Sequence, residues 1–235
     1  MMSSPNGPPA LPLWINGRAF LTMASGFYEV HDALTGEALR RTPLCGADEV
    51  AEAAAAAQAA APAWAAQPEV RRQELLQAWA TELDQYTGHF AKLVRQEIGK
   101  DEALARAEVE AAVAALQARF ADPADQGQVV GLAWDDAAPL ATAAILLAPV
   151  LRAGGTVVLK PSPRAPGAVY ALVELSARAG LPAGVVNLVQ GDAAALQALF
   201  QQAGIRRVAC SGRKEWVAQV APMAARYGKP FSVEP

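Results

Sequence analysis

The spacing of apolar residues divides the chain into two parts. Near the N-terminus, Asn16-Gly17 lies between two short apolar-bearing runs and predicts a hairpin, and Thr35-Gly36 marks the turn of a second extended pair. Between residues 48 and 122 the apolar positions recur with a helical period, with Pro68 near a helix start and Gly99 at a helix end. This pattern predicts about three helices after the hairpins.

From residue 128 onward, short apolar runs typical of buried strands alternate with segments of helical period. Strands alternating with helices of this length indicate right-handed crossovers and a parallel sheet of about five strands, covered by helices on both sides. We therefore expect an α/β fold with a Rossmann-like, doubly wound core over residues 128–235, preceded by hairpins and helices over residues 13–122. Residues 13–235 would form one domain, and residues 1–12, rich in Pro, Ser and Gly, a loose arm.

Composition and charge exclude several classes of partner. The net charge is -3, from 23 acidic and 20 basic residues, and no run of like charges predicts a nucleic-acid or anionic-membrane surface. The uncharged run 137–151 contains Pro139 and Pro149 and is too short to span a bilayer, so no membrane segment is expected. The first residues lack the basic and apolar regions of a secretory signal, which makes a cytoplasmic location the expectation. Cys45 and Cys210, with only two histidines, predict neither a disulfide framework nor a metal site.

Polar residues follow the predicted strands, where open parallel sheets bind their ligands. Lys160 and Ser162 follow one strand, Ser211-Gly212-Arg213 another, and Glu234 the last. Lys160 and Arg213 supply positive charge, and Gly212 opens a helix whose first amides would suit a phosphate. No GxGxxG follows any strand, however, and turn glycines with solvated charges explain the same residues. The adjacent carboxylates Asp135-Asp136 are more typical of a solvated loop than of a catalytic pair.

The order of segments resembles the N-terminal, cofactor-binding half of the aldehyde dehydrogenase superfamily over residues 13–234. The resemblance rests on WINGRAF with ALTGEAL, on RRQELLQAWATEL with QEIGKDEALA, and most specifically on LAPVLRAGGTVVLKPSPRAP followed by LVELSARAGLPAGVVNLVQGD. It implies a Rossmann-like fold and, for complete relatives, NAD(P)-dependent oxidation of aldehydes. Fold is the better-supported part, because one fold serves many activities.

Carried over by motif, the resemblance implies NAD(P) contacts from Lys160, Ser162, Ser211, Gly212 and Arg213. The departures are as numerous as the matches. Pro163 replaces the glutamate of the Lys-Pro-Ser-Glu run, Arg213 the serine of the Thr-Gly-Ser run, Val217 the following glycine, and Ala137 the asparagine that donates to the oxyanion. Arg213 would either pair with a phosphate or fill its place, and the sequence leaves both open.

Glu234 matches the family's general base, but the resemblance places the nucleophilic cysteine in a later catalytic domain outside this sequence. Neither Cys45 nor Cys210 matches that position, so we expect Glu234 to be vestigial and the chain to lack dehydrogenase activity. The long hairpin that relatives insert before the first Rossmann strand, and use in oligomers, is here reduced to Ala121–Gly127. The family's tetramers are therefore not expected.

Three functions remain open. The favoured one is a non-enzymatic accessory or assembly element that binds a partner protein or forms a homo-oligomer, similar to the non-catalytic C-terminal domains of larger superfamily members. The alternatives are an NAD(P)- or nucleotide-binding module that acts as a sensor, and one half of a split aldehyde dehydrogenase. The expected cofactor is accordingly none or NAD(P).

Overall fold

A computed structural model describes residues 7–121 and 123–234. Within these ranges the strands are β1 (Leu13–Ile15), β2 (Arg18–Phe20), β3 (Phe27–His31), β4 (Ala38–Pro43), β5 (Val129–Trp134), β6 (Thr156–Lys160), β7 (Val186–Leu188), β8 (Arg207–Ser211) and β9 (Phe231–Val233). The helices are α1 (Ala47–Ala65), α2 (Glu69–Gln85), α3 (Thr87–Ile98), α4 (Glu102–Gln117), α5 (Pro139–Ala153), α6 (Gly167–Arg178), α7 (Ala193–Gln201) and α8 (Lys214–Tyr227).

The central sheet has seven strands in the order β2-β1-β7-β6-β5-β8-β9. Strands β5 to β9 run parallel, which confirms the predicted parallel core of about five strands. The first hairpin adds two antiparallel strands beside β7, a pairing that the sequence analysis did not predict. It forms because β1 is an entirely buried apolar run, with Trp14 opposite Leu188 and the Asn16 backbone N–H donating to Asn187 Oδ1 at 3.0 Å.

Both predicted turns are present. Asn16 and Gly17 have φ values of 54° and 74°, the left-handed conformation that a two-residue hairpin turn requires. The second hairpin, β3–β4, forms a separate two-stranded sheet. Part of the expected loose arm is ordered along it, since Leu11 N–H donates to the Arg41 carbonyl at 2.9 Å. Residues 1–6, the rest of that arm as far as Asn6, lie outside the described residues.

Helices cover both faces of the sheet, as a doubly wound fold requires. Side chains of α2 to α6, together with Trp64 of α1, pack into one core cluster, and those of α7, α8 and the rest of α1 pack into the other. Alternate strand residues serve the two clusters: Val157 and Leu159 face the first and Val158 the second. The predicted helical region holds four helices instead of about three, because the chain breaks at Tyr86 between α2 and α3.

A short link joins α4 to β5, in agreement with the missing hairpin. It contains a 3-10 turn, Pro123–Asp125. The buried carboxylate of Asp125 accepts from Arg207 Nε at 2.9 Å and from Arg207 Nη2 at 2.8 Å, which fastens the link to β8. Among the described helices, none is both long and apolar enough to cross a bilayer.

Candidate functional site

The strand order places the topological switch point between β5 and β8, because β6 and β7 extend the sheet to one side and β8 and β9 to the other. Open α/β sheets bind ligands at this point, beyond the carboxyl ends of the strands. The residues that follow β5 and β8 meet there. The candidate site is therefore the edge where Asp135 approaches Ser211, Gly212 and Arg213.

Asp135 and Arg213 form the centre of this site. Asp135 Oδ2 accepts from the Arg213 backbone N–H at 2.9 Å and from Arg213 Nε at 2.8 Å, while Oδ1 accepts from the Ala137 N–H at 2.9 Å. The guanidinium also donates to Asp136. Asp135 is only 5% exposed, and the negative charges of Asp135 and Asp136 raise the pKa of Arg213. Arg213, Asp136 and Ala137 line the rim of an open cleft of about 460 Å³.

Gly212 permits this close approach. Its φ is 157°, and a Cβ added there would lie 2.9 Å from Asp135 Cγ and 3.0 Å from Trp216 Cε3. Ser211, the buried residue before it, accepts the Asp135 N–H at 3.4 Å through its carbonyl oxygen. A side chain at position 212 would push the carboxylate away from Arg213.

The residues around the α8 N-terminus do not fit a pyrophosphate. In the family motif this helix start meets the cofactor's phosphates, and a helix N-terminus suits an anion. Here the carboxylate of Asp135 already accepts from Arg213, the residue preceding Lys214 at the helix start. Val217, in the place of the family's second glycine, adds an isopropyl group to the first helical turn.

Lys160 and Ser162 lie at the end of β6 and are turned into the protein. Lys160 is 4% exposed, and its Nζ donates to the Pro161 carbonyl at 3.1 Å. Burial lowers the pKa of Lys160 to about 8, although Asp192 and Cys210 act to raise it. Ser162 Oγ accepts the Arg164 N–H at 3.3 Å. That these two residues contact a cofactor stays a prediction.

Neither thiol is a candidate nucleophile. Cys45 and Cys210 are both free and buried. Burial raises each pKa to about 12, and Lys160 only partly offsets this at Cys210. Since the thiolate is the reactive form, both side chains are inert near neutral pH. Among the described residues, no group of three or more His, Cys, Asp or Glu side chains is arranged to hold a metal ion.

Glu234 lies at the other edge of the site, just beyond β9. Its N–H donates to the Cys210 carbonyl at 2.8 Å, which continues the β8–β9 ladder. It lines a cleft of about 260 Å³ together with Phe120, Ile145 and Pro149. We call these four residues the β9 face.

Two buried acids near the site were missed by the sequence analysis. Glu97 accepts the Gly167 N–H at the start of α6 at 2.9 Å, and Glu108 accepts the Leu140 N–H at the start of α5 at 2.8 Å. Both lie on the inward faces of their helices, among apolar positions. An acidic residue at such a position was the available signal, because a buried carboxylate needs donors.

Comparisons with known proteins agree with the fold and the motifs. The model of the "Aldehyde dehydrogenase family" matches residues 20–137 and 127–235. Succinate-semialdehyde dehydrogenase (NADP(+)) GabD of Escherichia coli (strain K12) is 31% identical over 230 residues, which cover 88% of this chain and 47% of that protein. N-succinylglutamate 5-semialdehyde dehydrogenase of Caulobacter sp. (strain K31) is 36% identical over 191 residues, 73% of this chain and 39% of its own length.

A solved structure, described as an E. coli NADP-dependent enzyme, superposes with a TM-score of 0.87 at 29% identity. It covers 96% of this chain, whereas the matched part is 51% of that structure. The chain thus spans about half the length of the relatives it matches.

Proposed function

The chain belongs to the aldehyde dehydrogenase family, and we propose that it is a non-enzymatic member that binds a partner protein, or a second copy of itself, through the β9 face. The observation that carries this is the exposure of Phe120 and Ile145, which are 71% and 44% exposed. Phe120 and Ile145 line one cleft, beside the strand that ends the sheet order. Single exposed apolar residues are ordinary, but a cluster next to an open strand edge is typical of an interaction surface.

The lack of activity rests on the chemistry of the described residues. Both thiols are buried with pKa values near 12, so Glu234 has no reactive thiol to activate among the described residues. Ala137 offers a methyl group where the family has the asparagine of its oxyanion site, and loss of one such donor typically costs a factor of about 100 to 1,000 in rate. The proposal includes a cytosolic location, which the two free thiols support.

Sedimentation velocity tests the proposal. Over about 1 to 100 μM the wild-type chain should sediment faster as its concentration rises, or form a stoichiometric complex with its partner, because association follows mass action. The double variant Phe120→Asp/Ile145→Asp should remain monomeric and bind no partner. Val70→Asp is the matched control, since Val70 is 70% exposed on α2, outside the β9 face.

A second measurement makes a negative result decisive. A dye that fluoresces on apolar surfaces should bind the wild-type chain and lose that signal in the double variant. A wild-type chain that stays monomeric and whose dye signal is unchanged by the two substitutions would contradict the proposal.

The first alternative is an NAD(P)-binding module. Its support is Lys160, retained from the family motif, and a relative whose name specifies NADP. Calorimetric titration with NAD, NADH and NADP up to the millimolar range distinguishes it. Saturable heat at one site per chain, lost in Lys160→Ala, would favour this function over protein binding.

The second alternative is one half of a split enzyme, which the match to about half of each relative supports. Mixing the chain with a polypeptide that carries the other half of such a relative would produce aldehyde-dependent NAD(P) reduction if this is correct. Ala137 argues against it, because the reconstituted site would lack an oxyanion donor.

A further inference from the structure

Within the described residues, each helix that follows one of the strands β5 to β8 has a carboxylate of this chain at its N-terminus. The donor amides and their acceptors are Leu140 to Glu108 on α5 (2.8 Å), Gly167 to Glu97 on α6 (2.9 Å), Ala194 to Asp192 on α7 (3.1 Å) and Arg213 to Asp135 on α8 (2.9 Å). Such carboxylates satisfy unpaired amides and oppose the partial positive charge of the helix end. The fold thus supplies its own anions at all four positions.

Two of these positions, at α5 and α8, lie at the switch point of the sheet, where this type of fold places a ligand's phosphate. The α8 position differs from that at α5 because an arginine side chain joins the backbone amide there. Asp135 Oδ2 accepts there from a backbone amide and a guanidinium nitrogen, both belonging to Arg213. A phosphate oxygen at this helix end would take the same two donors. Asp135 is 5% exposed, so the carboxylate is built into the site.

We propose that Asp135 is an internal substitute for phosphate, whose carboxylate occupies the anion position at α8 and closes it to dinucleotides. Gly212 makes the substitution possible, since a Cβ there would lie 2.9 Å from Asp135 Cγ. Arg213, at the position of the family's serine, holds the Asp135 carboxylate through its backbone amide and its Nε. Removal of Asp135 leaves the amide and the guanidinium in place and opens the position to an outside anion.

Calorimetric titration with inorganic pyrophosphate tests this. The wild-type chain should show no saturable binding up to about millimolar pyrophosphate. Asp135→Ala should bind one pyrophosphate per chain with a dissociation constant at least about tenfold below that limit, the difference that one charge-assisted hydrogen bond makes. Asp136→Ala is the matched control: it removes an equal charge from Arg213 but leaves the amide occupied, and should behave as wild type. The double variant Asp135→Ala/Arg213→Ala should lose the gained binding.

Three results would overturn the proposal: wild-type binding as tight as that of Asp135→Ala, equal binding in Asp136→Ala, or no binding in folded Asp135→Ala. If Asp135→Ala does not fold, Asp135→Asn removes the charge at nearly constant size and is judged by the same criteria. The β9 face is not altered in any of these variants. The pyrophosphate titrations therefore test this proposal independently of the sedimentation experiment, which tests the proposed protein binding.

Discussion

Glu97 on α3 is a buried carboxylate, and its replacement by glutamine should change how the free energy of unfolding depends on pH. Its two oxygens accept the Gly167 N–H at 3.0 and 2.9 Å, and Arg40 Nε lies 3.3 Å from Oε1. The Glu97 side chain is fully buried. Burial raises its pKa to about 7 and outweighs Arg40 and the amides of Gly167 and Ala168, which lower it.

The sign of this pH dependence follows from the number of protons that the folded and unfolded chains bind. Between the ordinary carboxyl pKa of 4.5 and the folded value of about 7, the folded chain binds more protons at Glu97 than the unfolded chain. The free energy of unfolding therefore falls as pH rises through this window, and the contribution of Glu97 is constant below and above it. A shift of this size corresponds to about 3 kcal/mol, taken as an upper value.

Urea unfolding of wild type and Glu97→Gln, at intervals from about pH 4.5 to pH 8, measures this effect. Glutamine does not titrate and keeps a carbonyl oxygen for the Gly167 N–H. The wild-type value minus the variant value should fall by up to about 3 kcal/mol across the window. Glu110→Gln, at an exposed position of α4, controls for the change of residue type. A difference that stays level or rises with pH would show that Arg40 and the amides outweigh burial.

Three further substitutions test the packing around the site by urea unfolding. Asp125→Asn should lower the free energy of unfolding by about 2–3 kcal/mol because it breaks the bidentate pair with Arg207, and Asp125→Asn/Arg207→Met should recover part of that loss; an Asp125→Asn chain as stable as wild type would contradict this. Gly212→Ala should cost about 2 kcal/mol and less in the Asp135→Ala background, whereas Gly228→Ala, whose Cβ meets nothing within 4 Å, should cost about 1 kcal/mol; equal costs in both backgrounds would deny the contact with Asp135. Trp79→Phe removes the hydrogen bond from Nε1–H to the Leu172 carbonyl, 2.9 Å long and buried in the core, and should lower the free energy of unfolding by at least about 1 kcal/mol. A smaller decrease would mean that this carbonyl finds another donor.

The alternation of strands and helices was enough to predict the parallel core, because each element carries its own hydrophobic period. The place of the first hairpin was not predictable in the same way. Its turn is encoded locally by Asn16-Gly17, but its position beside β7 depends on Trp14 meeting Leu188, far away in the sequence. Similarly, the helical period runs on through Tyr86, where the chain separates α2 from α3.

The sequence predicted the edge of the sheet at which the candidate site lies, but not the contacts within the site. Strand ends placed Asp135 and Arg213 at the same edge, and the sequence left Arg213 between pairing with a phosphate and filling its place. The second interpretation requires a carboxylate that is 78 residues away along the chain, so local pattern does not reveal it. The adjacent Asp135-Asp136, expected to be a solvated loop, proved to be the partner.

Lys160 shows that a motif residue retained in the sequence can be buried in the fold. Its sequence context, LAPVLRAGGTVVLKPSPRAP, resembles that of the family, and the resemblance predicts a contact between the Lys160 ammonium group and NAD(P). In the fold it is 4% exposed, donates to the carbonyl of the next residue, and has its pKa lowered by burial to about 8. A cofactor would have to draw this side chain out or reach it through the packed edge of the sheet. At the α8 end the same cofactor would have to displace Asp135. Both costs reduce affinity before any contact with ligand is gained, and this favours the protein-binding function over the nucleotide-binding one.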